Sequence, residues 1–347
     1  MRLRHLLLIA AVLFCPAISH AVTCSVSNVQ AINLGSVNPL SATGATSSMT
    51  FSYTCTKELG DVLAGINLCF NIGASAVSGQ VTPRNMSLSG NPARTLAYQL
   101  YQDPGHSKIW GSQYLTGTTF PMVQLNLLNL TPVTGSLTVS AQIVTPQTAA
   151  VPGNYQDSYT TATALVTLNP GLLFPPTTCG DTVAARFPFT VTAAVSKQCN
   201  ITSATNISFA PTSGTGRNLT ASNNVGVACS NNTPYTIGLQ PSNGNTAGSG
   251  VMAGTGSNTD KVPYQLSSTP GPSGTIWGNT ALNTVAGNGT GTTTTYLPGL
   301  RHRSQRELHA RQLCRYCHHR RDLLTPSLTA IKQTHFIIIL FTFRGAS

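Results

Sequence analysis

The chain has 347 residues, enough for two domains that each bury a core. Only 8% of its residues are charged while Gly, Thr, Ser, Asn and Pro abound, which suits strands joined by turns and leaves little for solvated helices. The formal charge of +11 sits at the ends: nine of the 19 Lys and Arg follow Leu300 against two acids there, and Arg2 and Arg4 open the chain, so residues 22–300 carry only +2, which argues against a nucleic-acid partner.

Arg2 and Arg4 precede an apolar run over residues 6–14, and Ser19-His20-Ala21 offers small residues flanking a cleavage point. This is the pattern of a secretory signal peptide over 1–21. Cys15 does not make it a lipoprotein signal, because bulky Phe14 stands where a small residue is needed. Cys24 then opens a strand, and Leu34-Gly35-Ser36-Val37-Asn38-Pro39-Leu40 follows. Further short strands are predicted over 49–55, 70–73, 84–88 and 96–101. Val139, Ala141 and Ile143 alternate, and Pro152-Gly153-Asn154-Tyr155-Gln156-Asp157 makes a turn that feeds an alternating strand over 158–168. No window carries a sustained apolar pattern of helical period, so the fold class is all-β.

Tyr98-Gln99-Leu100-Tyr101, followed by Ile109-Trp110-Gly111, recurs as Tyr264-Gln265-Leu266-Ser267 and Ile276-Trp277-Gly278, and these are the only two Trp residues. Upstream of each copy lies a cysteine pair, Cys24 with Cys55 and Cys199 with Cys229. This is internal duplication, and it yields two related domains in tandem. Export makes disulfides the expected state of these thiols. The repeat picks out Cys24–Cys55 and Cys199–Cys229, which leaves Cys69 for Cys179.

The Leu-Gly-Ser…Asn-Pro-Leu element, the cysteine ending a strand, Arg84-Asn85-Met86, Tyr-Gln-Leu-Tyr, Trp-Gly and Pro-Gly-Asn-Tyr-x-Asp stand in an order that resembles the spore coat protein U domain. The resemblance covers most of 22–168 and, less fully, 195–298. It implies immunoglobulin-like Greek-key β-sandwiches, of which the second is incomplete and accepts a donor strand from a neighbouring subunit. It also implies the chaperone–usher route: a periplasmic pilus chaperone, an outer-membrane usher and the next pilin subunit as partners. Domains are expected over 22–186 (adhesin-like) and 187–298 (pilin-like, truncated). Because Cys24 follows the expected cleavage point closely, the first domain is expected to carry no donor extension, and the resemblance then implies a place at the pilus tip on the cell surface.

Between the domains Phe187, Phe189 and Val191 alternate with polar or small residues, followed by Ala193 and Val195. One reading makes this the strand that completes the first domain in cis, the other the opening strand of the second. Three apolar stretches are expected to form surface-binding loops, the alternative being that they fold back as core plugs: Val62, Leu63 and Ile66 between Cys55 and Cys69; Leu172, Leu173 and Phe174 between Pro170-Gly171 and Pro175-Pro176; and Phe120, Met122 and Val123. Tandem members of the family are tip adhesins that attach through hydrophobic fingers, which gives adhesion to an abiotic or host surface and biofilm formation as the expected function. The alternative is a secreted structural protein of a spore or cell coat.

Catalysis finds no support. His106 is the only His within 22–300, Asp103 is separated from it by Pro104-Gly105, and no paired carboxylates form a motif. No cofactor and no metal are expected. Several Asn-x-Ser/Thr sequons occur, Asn85, Asn206 and Asn218 among them, as a Thr- and Asn-rich chain yields by chance.

From residue 299 onward the composition changes. Cys314-Arg315-Tyr316-Cys317-His318 matches a c-type haem attachment pattern, and with His319 a metal site. A different explanation fits the rest of the chain. Shifting the reading frame by one base allows a Pro-Gly-Asn-Tyr turn, an alternating strand and a stop, which is what the second copy lacks, so 299–347 is expected to be a frameshifted tail.

Overall fold

The computed structural model describes residues 22–58, 65–127, 130–209, 219–253, 261–302 and 338–343. The signal segment 1–21, Val62 and Leu63, and the Cys314–Cys317 motif lie outside them. Every regular element among the described residues is a strand. The described residues form two compact units: those within 22–35, 44–144 and 154–194 make one, and those within 36–43, 145–153 and from 195 onward make the other.

The first domain contains β1 (Thr23–Ser27), β2 (Ile32–Val37), β3 (Thr46–Thr56), β4 (Gly65–Ile72), β5 (Arg84–Leu88), β6 (Asn91–Tyr101), β7 (Met122–Asn126), β8 (Val133–Ile143), β9 (Gly153–Tyr159), β10 (Ala164–Gly171), β11 (Thr182–Arg186) and β12 (Phe189–Val195). An eight-stranded sheet runs β1-β3-β8-β6-β5-β9-β12-β2, and a four-stranded sheet runs β11-β10-β4-β7. Alternation decides which side chains meet between them: along β3, Met49, Phe51, Tyr53 and Cys55 are buried while Thr50 and the residues between them are not. Phe51 and Tyr53 reach across to Phe70 on β4, at 5.9 and 5.3 Å between ring centroids. β4 is buried at every position, as a central strand covered on both faces must be.

The alternating run over 158–168 is not one strand. Thr160 to Thr163 form a turn in which the Thr160 carbonyl accepts from the amides of Thr163 and Ala164, and Thr163 Oγ1 accepts from the Thr160 amide. β9 therefore ends in one sheet and β10 starts in the other. β12 runs between β9 and β2, with Phe189, Val191, Ala193 and Val195 buried. Phe187 stacks on Phe51 at 4.9 Å, and Phe189 on Tyr159 at 4.7 Å. The compact unit accordingly ends at Ala194, one strand later than a division after Arg186.

The second domain contains β13 (Cys199–Ala204), β14 (Thr220–Ser222), β15 (Val225–Cys229), β16 (Pro234–Gln240), β17 (Ser249–Ala253), β18 (Lys261–Ser267), β19 (Val285–Asn288), β20 (Thr293–Tyr296), β21 (Gly299–His302) and β22 (Ile338–Phe343). Its sheets run β13-β15-β20, β14-β21-β18-β17 and β19-β16-β22. The core gathers Val227, Cys229, Ile237, Leu239, Tyr264, Leu266 and Trp277. Two described segments after residue 298 pair within this domain: Gly299–His302 with both β14 and β18, and Ile338–Phe343 with β16.

The duplication holds at the level of single hydrogen bonds. Trp110 Nε1 donates to the Phe70 carbonyl at 2.9 Å, and Trp277 Nε1 to the Ile237 carbonyl at 2.9 Å. The amides of Trp110 and Trp277 bond to Leu100 and Leu266, and the carbonyls of Gly111 and Gly278 accept from Ile72 and Leu239. Cys24–Cys55 and Cys199–Cys229 are both disulfides across directly opposed residues, with Cα atoms 4.1 and 4.0 Å apart. Cys69–Cys179 is the third.

Candidate functional site

At one end of the four-stranded sheet Gly65, the first residue of β4, is opposed by Gly171 on β10 and Asn126 on β7. The chain leaves β10 here, turns through Leu172 to Pro176 and folds back over the sheet. Neither glycine could carry a side chain. A Cβ on Gly65 would lie 2.3 Å from the Pro175 nitrogen, and one on Gly171 2.2 Å from the Phe174 oxygen, backbone atoms that cannot move aside. Seated on two bare backbones, the loop turns its own side chains outward. Leu172, Leu173 and Phe174 are 66%, 74% and 79% exposed.

The loop is exposed but firmly held. Pro175 and Pro176 fix their own φ and bring no amide to satisfy. Asn67 and Asn169 face each other across β4 and β10, and both donate Nδ2 to the Thr178 carbonyl, at 3.0 and 2.9 Å. Gln124 Nε2 donates to the Pro176 carbonyl at 2.8 Å, Gln113 Nε2 donates to the Gly180 carbonyl at 3.0 Å, and Cys179 is bonded to Cys69. No charged residue lies within 169–180. Contact with an apolar surface therefore costs neither the ordering of a floppy loop nor the desolvation of a charge.

The other expected loop residues lie elsewhere. Ile66 is no loop residue: it sits in β4, fully buried, opposite Leu125 and Pro170. Met122 and Val123 belong to the edge strand β7, opposite Cys69 and Leu68, and the neighbouring Pro121 carbonyl accepts from the Phe70 amide. Four residues of β4 separate Met122 from the Gly65 end, roughly 13 Å of strand. Met122 is 54% exposed and Phe120 half-buried. Only Leu172, Leu173 and Phe174 thus form an outward apolar loop among the described residues named for this role. The clamp of Asn67, Asn169 and Gln124 escaped the sequence reading. Its signal was present, since Asn67 and Asn71 interrupt an otherwise apolar strand and Asn is depleted in strands.

A second feature concerns the other domain. Register identifies β17 as the counterpart of β5, because Arg84 opposes Tyr98 as Gly250 opposes Tyr264. β5 has β6 on one side and β9 on the other, whereas β17 has only β18 beside it among the described residues.

Compared with known protein families, residues 10–162 and 185–305 match the profile described as the spore coat protein U domain. The chain belongs to this family. Each of its two spore coat protein U domains carries one copy of the Trp-centred hydrogen bonds described above. A comparison with curated proteins gives no match. Among solved structures the chain is similar to the CsuC–CsuE chaperone–tip adhesion subunit pre-assembly complex from archaic chaperone–usher Csu pili of Acinetobacter baumannii, at 14% identity over 92% of this chain and 100% of that one, with a TM-score of 0.46. It is also similar to the CupB6 tip adhesin from Pseudomonas aeruginosa, at 10% identity over 82% and 91%, with a TM-score of 0.35.

Proposed function

We propose that this spore coat protein U protein is a pilus-tip subunit that attaches its cell to surfaces through Leu172, Leu173 and Phe174, and so promotes biofilm formation. The observation that carries the reading is the clamped apolar loop. Three consecutive large apolar side chains stand in solvent on a base fixed by a disulfide and four side-chain hydrogen bonds. A secreted protein gains nothing in stability from such a patch, and its use lies in contact. An uncharged finger suits an apolar abiotic surface or the apolar part of a host receptor.

Assembly in this reading runs through the second domain. The edge of β17 takes a strand from the periplasmic chaperone and later from the next pilin subunit at the usher. The first domain is completed in cis by Phe187, Phe189 and Val191. Replacing Leu172, Leu173 and Phe174 together by Ser tests the adhesive role. Export and folding remain as in the parent while attachment to polystyrene falls by about tenfold or more, the scale set by removing the central anchors of a contact. Attachment at the parental level would refute the finger.

A further inference from the structure

We infer that the C-terminal tail of this chain supplies, in cis, the strand that the second domain needs beside β16. In the first domain β4 is flanked by β7 on one side and β10 on the other. The Trp hydrogen bonds make Phe70 and Ile237 equivalent. β10 places Val166 opposite Phe70, and β22 places Phe341 opposite Ile237, antiparallel in both cases. On the far side β7 is matched by β19, with Met122 opposite Cys69 and Ala286 opposite Thr236. β22 therefore occupies the β10 slot in the same direction and register.

The composition of the strand agrees. β10 opens with Ala-Leu-Val-Thr-Leu, buried at all five positions, because this sheet's inner strands are covered on both faces. β22 reads Ile-Ile-Leu-Phe-Thr-Phe, an apolar run of the same type with strong strand propensity. An ordinary edge strand would alternate or carry charge. With β22 in place the β16 edge is closed by this chain itself, so a strand from another molecule adds at β17 or must displace the tail. The inference stands whether or not Leu172 to Phe174 act as a finger.

Hydrogen exchange in the full-length protein tests it. Alternate amides of a strand point to opposite edges, and the Leu239 amide bonds to the Gly278 carbonyl on the far side, so the amides of Thr236, Gly238 and Gln240 face β22. Leu340 opposes Gly238, and Leu340→Pro removes a ladder donor without shortening the chain. The amides of Thr236, Gly238 and Gln240 are expected to exchange on the order of 100-fold faster in this variant, while those of Ile237 and Leu239 keep their protection. Equal exchange in both proteins would overturn the inference. If Leu340→Pro loosens the whole domain, a cross-link decides. Leu239 and Ile339 are directly opposed, as Cys24 and Cys55 are. With Cys314→Ser and Cys317→Ser as background, Leu239→Cys plus Ile339→Cys yields a disulfide under oxidation if β22 occupies the slot, and failure to form it overturns the assignment.

Discussion

Arg84 shows how much one residue can decide. Its side chain is fully buried, and it donates to Gln99 Oε1 and to the Trp110 carbonyl at 2.7 Å each, and to the carbonyls of Val81 and Gly73 at 3.1 Å. Its guanidinium lies 6.0 Å from the Tyr159 ring centroid. Tyr159 and Tyr98 share a hydrogen bond at 2.8 Å, and Tyr98 donates to the buried Asp157 at 2.7 Å, so two phenols bridge a buried cation and a buried carboxylate. In the second domain Gly250 stands at the Arg84 position and the strand that would carry Asp157 and Tyr159 has no described counterpart, so cation and anion are absent together. That is what the cost of an uncompensated buried charge requires. Arg84→Met is expected to lower first-domain stability by about 3–5 kcal/mol, read as the urea midpoint of a 5-fluorotryptophan signal at Trp110. The tyrosines add a pH dependence. Burial raises Tyr98 well above its ordinary value of 10.0 and pushes Tyr159 up to about 12, against the lowering effect of Arg84. Both groups are raised in the folded state, so the unfolded chain loses its protons first. Stability from this pair is fully present below pH 10 and is lost as pH climbs from 10.0 towards 12, where the unfolded chain has given up protons that the folded chain still holds. A flat urea midpoint for the Trp110 signal between pH 10 and 11.5 would contradict this. Arg84 was legible as part of a motif but not as a core residue, although its period-2 phase with Met86 puts it on the inward face of β5.

At the scale of elements, the disulfides, the paired repeats and most strands could be read from the sequence, because each leaves a local mark: a spacing, an alternation, a turn. What failed was the sorting of apolar runs. Ile66 stands at the end of a run expected as loop, yet a continuous apolar run is also what a strand covered on both faces looks like, and periodicity alone cannot separate the two, while Met122 and Val123 lie on a half-exposed edge strand. The Thr160–Thr163 turn failed for the opposite reason: alternation continues on both sides of it while the chain changes sheets. β12 fits two readings in the sequence, since an alternating strand does not announce which groove it enters. Its place between β9 and β2 and the stacking of Phe189 on Tyr159 give a discriminating experiment. Phe189→Asp puts a carboxylate into this aromatic stack and is expected to lower the stability of the first domain by about 3–5 kcal/mol while the Trp277 signal of the second domain keeps its midpoint. Loss confined to the Trp277 signal would assign the strand to the second domain instead.

For the whole molecule, duplication followed by unequal trimming is the organising fact. β13 stands for β1, β14 and β15 together for β3, β16 for β4, β17 for β5, β18 for the last residues of β6, β19 for β7, and β20 with β21 for β8, all on matching registers. No described strand of the second domain stands for β2, β9, β11 or β12. The first domain is held by two disulfides, one closing 110 residues, and the second by one closing 30. In the chain-entropy view these closures contribute about 4.8 and about 3.6 kcal/mol respectively. Among the described residues β17 has only β18 beside it, and β2, β9, β11 and β12 of the first domain have no counterpart, so fewer paired strands hold the second domain. Urea is therefore expected to unfold the chain in two steps, the Trp277 resonance of the 5-fluorotryptophan-labelled protein changing at lower concentration than that of Trp110. Reducing the disulfides should lower both midpoints without reversing their order, because the order comes chiefly from the strand count. Coincident transitions would mean that the two copies fold as one cooperative unit, and a Trp110 signal that goes first would mean that the eight-stranded sheet gains less from β2, β9 and β12 than their burial implies.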